Sequence, residues 1–212
     1  MVTFLLATVG CGSASSPSDA AGSETSTVDD ASSDSDSTDG AEVGDVSVTG
    51  GAVATGGSGG VFTDASLDPA IGTKAPAITG TNFDGDAVTI AADGRPKAVY
   101  YLAHWCSHCQ AEVELIMQLA ADGMQPAGMD IYAVAIAVSD ERPNYPPSAW
   151  LESFPGTVMR DSASNTAAEA AGVSGIPYTL YLDGENRITA RSIGSLTTDQ
   201  IVERWNALAA GT

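Results

Sequence analysis

Large hydrophobic side chains are almost absent from residues 12–60, stay sparse up to residue 70 and then form short runs and periodic stretches. Two continuous apolar runs, at 97–104 and 130–138, are rich in β-forming residues and predict buried parallel strands. Between them, apolar residues at helical spacing predict a helix over 107–121 that ends at Asp122-Gly123. Further strands are expected at 77–81, 87–90, 157–160, 178–182 and 187–193, and further helices at 148–154, 165–171 and 197–210. This order, a hairpin followed by β-α-β-α-β-α-β-β-α, predicts an α/β layer fold with a mixed sheet.

The chain before residue 71 has a different physical character. Residues 1–10 are apolar but too few to span a bilayer. The segment Thr8-Val9-Gly10-Cys11 resembles the lipobox of bacterial lipoproteins, in which the cysteine becomes the lipidated N-terminus after cleavage; the alternative is a disordered terminus with a chance cysteine. The polar and acidic residues that follow cannot bury enough apolar surface to offset their chain entropy. We therefore expect a signal and lipobox-like segment at 1–11, a disordered acidic tether at 12–70 and a folded domain at 71–212.

The charge balance restricts the partners that the chain can bind. Its 27 acidic and 8 basic residues give a formal net charge of −19. This excess of acid leaves no basic patch for nucleic-acid phosphates, so nucleic-acid binding is excluded. It also argues against electrostatic attraction to anionic lipids. Because the ten apolar residues at the start are too few to span a bilayer, attachment to a membrane is expected through a lipid anchor at Cys11 rather than through a transmembrane helix.

The strongest chemical signal is Cys106-Ser107-His108-Cys109, which follows the predicted strand at 97–104 and opens the predicted helix at 107–121. At a helix start, unpaired backbone N–H groups and the helix dipole favour the thiolate of the first cysteine. The second cysteine lies one turn further on and can resolve a mixed disulfide. No Cys or His follows Cys109, so a zinc site would lack its second pair of ligands and no metal is expected. The spacing therefore predicts a redox pair.

The segments YYLAHWCSHCQAE, around the two cysteines, and GVSGIPYTLYLDGENRI, further along, resemble the thioredoxin superfamily. Within it, the chain is similar to the membrane-tethered TlpA/ResA-like and redoxin-domain proteins of bacteria over residues 71–210. The resemblance implies a thioredoxin-like fold, with a central mixed sheet flanked by helices and an N-terminal β-hairpin extension. It also implies a thiol–disulfide oxidoreductase whose redox group is the Cys106–Cys109 disulfide, with no further cofactor.

The resemblance assigns roles to side chains around this pair. Pro177 is implied to be a cis-proline that faces the two cysteines, and Ile176 before it is implied to offer its backbone to an extended substrate peptide. Trp105 is expected beside the active loop as part of the substrate-binding surface. In family members with a Cys-x-His-Cys centre the histidine, here His108, stabilises the thiolate and makes the disulfide more oxidising. The alternative for His108 is a solvated side chain with little effect.

One departure from thioredoxin itself concerns proton handling. Thioredoxin carries an acidic residue six positions before its first cysteine, where this chain has Tyr100. Protons at Cys109 must therefore be managed differently, through water or through Glu112. His104, two residues before Cys106, is expected to line the rim of the site.

Taken together, these features predict an extracytoplasmic thiol–disulfide oxidoreductase, anchored by lipid at the outer face of the cell membrane. Its partners would be the thiols and disulfides of exported proteins, together with a membrane redox partner that recycles the cysteine pair. The direction of exchange stays open. The TlpA/ResA resemblance implies a reductase, as in cytochrome c maturation, whereas the Cys-x-His-Cys centre implies an oxidase.

Three other functions are compatible with a thioredoxin-like scaffold. A peroxiredoxin needs Pro-x-x-x-Thr/Ser-x-x-Cys, but the corresponding positions hold Val99 and Ala103. A copper metallochaperone would find soft ligands in the two histidines and two cysteines at 104–109, although that family uses Cys-x-x-x-Cys and a distant histidine. A binding module without catalysis is disfavoured by the retention of both cysteines and of the cis-proline motif.

Overall fold

The computed structural model describes residues 42–211. The strands within this range are β1 (Ser47–Thr49), β2 (Gly60–Phe62), β3 (Ala77–Thr81), β4 (Ala87–Ile90), β5 (Lys97–Leu102), β6 (Asp130–Ala135), β7 (Thr157–Arg160), β8 (Tyr178–Leu182) and β9 (Ile188–Ile193). The helices within it are α1 (Ser107–Ala121), α2 (Pro147–Trp150), α3 (Thr166–Ala170) and α4 (Thr198–Ala209). Among these described helices, none has the length and apolar character that crossing a membrane requires.

A six-stranded mixed sheet forms the centre of the fold, in the order β2-β9-β8-β5-β6-β7. Strand β5 runs parallel to β6 and antiparallel to β8, and all of its residues are buried. Its continuous apolar sequence suits this position because both faces of a central strand are covered. Helices α1 and α4 pack on one face of the sheet, while α3 and the hairpin formed by β3 and β4 pack on the other. The predicted α/β thioredoxin-like fold is confirmed.

The ends of the elements follow local backbone chemistry. The strand predicted to run to residue 104 ends at Leu102, where the turn into α1 begins. The strand predicted to run to residue 138 ends at Ala135, and Ala137 soon afterwards has a positive φ of 50°. Helix α4 begins where the sequence predicts, because the side chains of Thr197 and Gln200 each accept the backbone N–H of the other in a capping box.

The folded domain begins earlier than the sequence predicts. Residues 42–70, which were expected to belong to the disordered tether over 12–70, are part of the folded domain. Strand β1 adds to β3, and β2 forms the edge of the central sheet beside β9. Between them Val53 is buried, and its N–H donates to the Ala170 carbonyl at 2.8 Å. This segment folds with few apolar side chains because the strand edges of the domain form hydrogen bonds with its backbone N–H and C=O groups. The rest of the predicted tether and the lipobox-like segment with Cys11 lie outside the described residues.

A buried ion pair ties this N-terminal segment to β9. Arg191 Nε donates to Asp68 Oδ2 at 2.6 Å and Nη2 donates to Oδ1, and both side chains are almost completely buried. The remaining nitrogen, Nη1, donates to the Ala54 carbonyl at 2.7 Å and to the Tyr178 hydroxyl at 3.3 Å. Bidentate pairing of this kind compensates the cost of burying both charges. The pair therefore holds residues 54–68 against the sheet.

Replacing Asp68 with Ala should lower the free energy of unfolding by about 3–5 kcal/mol, because the Arg191 charge is then buried without its counter-ion. The matched control is Glu185→Ala, which removes the partner of the exposed Arg187 and should cost less than about 1 kcal/mol. Urea unfolding of the reduced protein measures both changes. Equally small costs for the two variants would contradict the anchoring role of the buried pair.

Candidate active site

Cys106 lies at the turn between β5 and α1, where it is the N-cap of the helix. Its N–H donates to the Ala103 carbonyl at 3.0 Å, and its own carbonyl accepts the Gln110 N–H at 3.0 Å. The side chain is partly exposed, and no acidic residue occupies the first turn of α1. A thiolate at this position therefore meets the positive end of the helix dipole without an opposing carboxylate in that turn.

Cys109 lies one turn further along α1 and is completely buried. Cys106 and Cys109 are both free thiols in this structure. Burial raises the pKa of the Cys109 thiol well above its ordinary value, although a hydrogen bond with the backbone of Ala103 acts in the opposite direction. The neighbouring Cys106 and Glu112 add to the rise in this pKa. The pair thus combines an accessible sulfur with a protected one, as a two-step exchange requires.

Glu112 lies one turn beyond Cys109 on the buried face of α1 and is only 2% exposed. Its Oε2 accepts the Leu196 N–H at 3.2 Å, close to the start of α4. Burial raises the pKa of Glu112 to about 7, against the lowering effect of that hydrogen bond. A carboxyl group with this pKa exchanges its proton near neutral pH. Of the two options that the sequence leaves open for proton handling, Glu112 therefore has a suitable position and proton affinity.

The antiparallel pairing of β5 with β8 brings the second motif to the cysteines. The last residue pair of this ladder is Tyr101 with Tyr178, so Pro177 and Ile176 continue past the end of the sheet at which β5 turns towards Cys106. The peptide bond between Ile176 and Pro177 is cis, as the family resemblance implies. Ile176 packs partly buried against the hydrophobic residues of both sheet faces.

Trp105, directly before the cysteine pair, is held by the loop 137–146 that follows β6. Its indole N–H donates to the Ala137 carbonyl at 2.8 Å. The exposed Arg142 places its guanidinium 4.9 Å from the centre of the indole ring, which is a cation–π contact. This loop is a part of the site that was not predicted from the sequence. Its Asn-Tyr-Pro-Pro segment at 144–147 carries the signal of a turn but gives no sign of what the turn contacts.

His104 is buried rather than placed at the rim, which corrects the expectation from the sequence. Its Nδ1–H donates to the Pro143 carbonyl at 2.8 Å, and its Nε2 accepts the Ser139 N–H at 3.2 Å. The backbone carbonyl of His104 also accepts the side-chain amide of Asn144 at 3.3 Å. His104 therefore anchors the loop 137–146 to the turn that carries the cysteines.

His108 and Ser107, between the two cysteines, are exposed in the first turn of α1. The redox-tuning role of His108 stays a prediction, as do the substrate contacts of Trp105, Ile176 and Pro177. Within residues 42–211, no group of three or more His, Cys, Asp or Glu side chains is arranged to hold a metal ion.

Comparison with known proteins identifies relatives of the chain, although no protein-family model matches it. The thiol:disulfide interchange protein HelX of Rhodobacter capsulatus is 30% identical over 145 residues, which cover 66% of this chain and 78% of that protein. The thiol:disulfide interchange protein DsbE of Pseudomonas fluorescens is 28% identical over 157 residues, which cover 67% of this chain and 83% of that protein.

Solved structures share the fold at lower sequence identity. A DsbE protein from Chlorobium tepidum has a TM-score of 0.55 and 19% identity, over 66% of this chain and 97% of that chain. The thioredoxin domain of a thiol–disulfide oxidoreductase from Bacteroides vulgatus has a TM-score of 0.52 and 21% identity, over 66% of this chain and 97% of that chain. These structures bear on the fold, whereas the identity to HelX bears on the family. The chain is therefore a thiol–disulfide oxidoreductase of the thioredoxin superfamily, and it belongs to the HelX/DsbE family of thiol:disulfide interchange proteins.

Proposed function

We propose that the chain is an extracytoplasmic oxidoreductase that exchanges disulfides with exported proteins through Cys106 and Cys109. One observation carries this proposal. A partly exposed cysteine at a helix N-terminus is paired with a buried cysteine, one turn away from a buried carboxyl group. The roles of the residues follow from that arrangement.

In the reductive direction, Cys106 makes the first attack. Its thiolate forms a bond with one sulfur of a substrate disulfide, the substrate disulfide breaks, and the second substrate sulfur leaves as a thiolate. Cys106 suits this step because it is the accessible sulfur of the pair and lies at the N-terminus of α1.

Cys109 then resolves the mixed disulfide. Its thiol gives a proton to the Glu112 carboxylate, its sulfur attacks Cys106, and the bond between Cys106 and the substrate breaks. The products are a Cys106–Cys109 disulfide and a reduced substrate, whose thiolates take up protons from water. Two electrons have moved to the substrate, and the oxidative direction is the reverse of these steps.

The substrate docks beside Cys106, at the end of the sheet where β8 begins. Ile176 offers its backbone to an extended segment of the substrate, and Pro177 faces the cysteine pair. Trp105 forms another wall of this surface, supported by its hydrogen bond to the loop 137–146. His108, exposed in the first turn of α1, stabilises the Cys106 thiolate and so makes the disulfide more oxidising.

The domain acts outside the cytoplasm, on a lipid anchor at Cys11. Support for this location comes from the lipobox-like sequence at 8–11 and from the polar, acidic composition of residues 12–41, which is typical of a flexible tether. A membrane redox partner recycles the cysteine pair after each exchange. The names of HelX and DsbE as interchange proteins support thiols and disulfides of other proteins as partners.

The two alternative chemistries find less support in the geometry. Both ring nitrogens of His104 are engaged, by Pro143 and Ser139, so this histidine does not offer a free nitrogen to copper. The positions at which a peroxiredoxin carries its proline and hydroxyl residue hold Val99 and Ala103, which are buried and apolar.

Replacing Cys106 with Ser should abolish reduction of a disulfide-bonded peptide while leaving the fold intact, because the attacking sulfur is lost. Replacing Cys109 with Ser should leave the first step and accumulate a mixed disulfide at Cys106. Peptide turnover and mass spectrometry of trapped adducts measure these effects, with circular dichroism as the control for folding. Normal turnover by the Cys106→Ser variant would contradict the assignment of the pair.

The raised pKa of Glu112 should make stability depend on pH. The folded protein holds this proton more tightly than the unfolded chain, so the contribution is fully present below pH 4.5 and is lost as the pH rises through about 7. From this group, the free energy of unfolding should fall by about 3 kcal/mol between about pH 5 and pH 9. Replacing Glu112 with Gln should remove that part of the dependence. Urea unfolding of both proteins measures the difference, and an unchanged pH dependence in the variant would show that the carboxyl group titrates normally.

A further inference from the structure

Four hydroxyl groups lie on the sheet face that α1 and α4 cover. Tyr100 in β5 pairs directly with Thr179 in β8, and Thr179 pairs directly with Ser192 in β9. Directly paired residues point to the same face of a sheet, and Tyr181 follows Thr179 by two positions on that face. All four side chains are at most 1% exposed. We call these four residues the hydroxyl cluster.

Several buried oxygens in this region have no protein partner with good hydrogen-bond geometry among residues 42–211. The Tyr100 hydroxyl does have one, because it accepts the indole N–H of Trp205 at 2.8 Å. The oxygens without a partner in the described part of the chain are Glu112 Oε1, Thr179 Oγ1, the Tyr181 hydroxyl and Ser192 Oγ.

The hydroxyl cluster is coupled to the carboxyl group next to the cysteines. Burial raises the pKa of Tyr100 and of Tyr181, and the charge of Glu112 adds to both rises, so the two hydroxyls stay protonated near neutral pH. The hydroxyls of Ser192 and Tyr100 lie next to that of Tyr181 and lower the pKa of Tyr181, against the larger rise that burial causes. The titratable groups around Glu112 and the cluster are Cys106 and Cys109 of α1, Tyr100 of β5, Tyr181 of β8 and Arg204 of α4.

Buried polar oxygens without partners are costly, and proteins commonly satisfy them with internal water, which makes about two to four hydrogen bonds in a polar cavity. We propose that Glu112 Oε1 and the hydroxyl cluster hold internal water that relays the Cys109 proton away from the cysteine pair. This proposal rests on the exchange function proposed above. It makes Thr179, Tyr181 and Ser192 positioning residues for the resolving step.

The relay balances in protons and electrons. As Cys109 attacks, its proton moves to Glu112, and its electron pair forms the bond to Cys106 while the bond from Cys106 to the substrate breaks. The proton then leaves Glu112 Oε1 for the internal water, which passes a proton through the Tyr181 hydroxyl towards solvent. Glu112 returns to its carboxylate form, and the substrate disulfide is the oxidant of the step.

Tyr181, whose hydroxyl is buried, also borders the protein surface. Together with Thr189 and Arg204, it lines a surface cleft of about 270 Å³ between the sheet and α4. That volume holds several water molecules, since each takes about 30 Å³ in the liquid. Tyr181 pairs with Ala98 near the start of β5, whereas Cys106 follows the end of β5. The proton therefore leaves at a point that a substrate docked on Cys106 does not cover.

The test follows the resolving step over a range of pH in the full-length reduced protein. The aromatic disulfide dithiobis(nitrobenzoate) reacts with Cys106 and releases one coloured thiolate, and attack by Cys109 on the adduct releases a second, whose rate is the readout. The double variant Thr179→Val/Ser192→Ala should move the midpoint of this pH profile upward by about half a unit to one unit, because the Glu112 carboxylate loses its hydrated partners. Tyr181→Phe should move it in the same direction.

Tyr101→Phe is the matched control. Tyr101 follows Tyr100 in β5, is equally buried and faces the other side of the sheet, where its ring packs against that of Tyr178. The pH profile of the Tyr101→Phe variant should coincide with that of the parent protein. Cluster variants whose profiles also coincide with the parent would overturn the relay. A parent protein that shows no second release dependent on Cys109 would instead overturn the exchange function itself.

A second measurement on the hydroxyl cluster needs no variant. A high-resolution crystal structure of the reduced protein should show ordered water within hydrogen-bond distance of Glu112 Oε1 and of at least one hydroxyl of the cluster. A dry cluster, in which these oxygens contact only protein atoms, would overturn the proposal.

Discussion

Burial of Cys109 and Glu112 on one face of α1 is the constraint on which the rest of the site depends. Neither group carries a charge easily away from water, so the Cys109 thiol keeps its proton until Glu112 takes it, and Glu112 exchanges its own proton near neutral pH. The packing of α1 between β5 and α4 creates this environment, and the hydrogen bond from Leu196 fixes the carboxyl group within it. The same packing leaves Cys106 at the N-cap, partly exposed and at the positive end of the helix dipole. One helical turn thus separates the attacking sulfur of Cys106 from the resolving sulfur of Cys109.

Strand β9 links this chemistry to the N-terminal segment. Arg191 and Ser192 are neighbours on β9, so their side chains point to opposite faces of the sheet. Arg191 binds Asp68 on one face, while Ser192 joins the hydroxyl cluster on the other. The segment 42–70 therefore fixes the strand that carries part of the cluster, although it lies far from the cysteines along the chain.

The sequence predicts well the elements and residues whose positions depend on residues nearby in the chain. An apolar run, a turn and a helical spacing are enough to place Cys106 and Cys109 between β5 and α1. The start of the folded domain before residue 71 could not be predicted, because Val53 and Asp68 are buried only against partners more than a hundred residues away along the chain. The hydroxyl cluster could not be predicted from the sequence for the same reason, since only the register of three strands brings its members to one face of the sheet.

The reduction potential of Cys106 and Cys109 decides whether these two residues form a redox-active pair. Equilibration in glutathione or dithiothreitol buffers, followed by thiol counting, measures this potential. We expect one disulfide between these two residues, with a potential between about −270 mV, which would assign a reductase, and about −120 mV, which would assign an oxidase. A protein that forms no Cys106–Cys109 disulfide at any redox poise would show that these cysteines are not a redox pair.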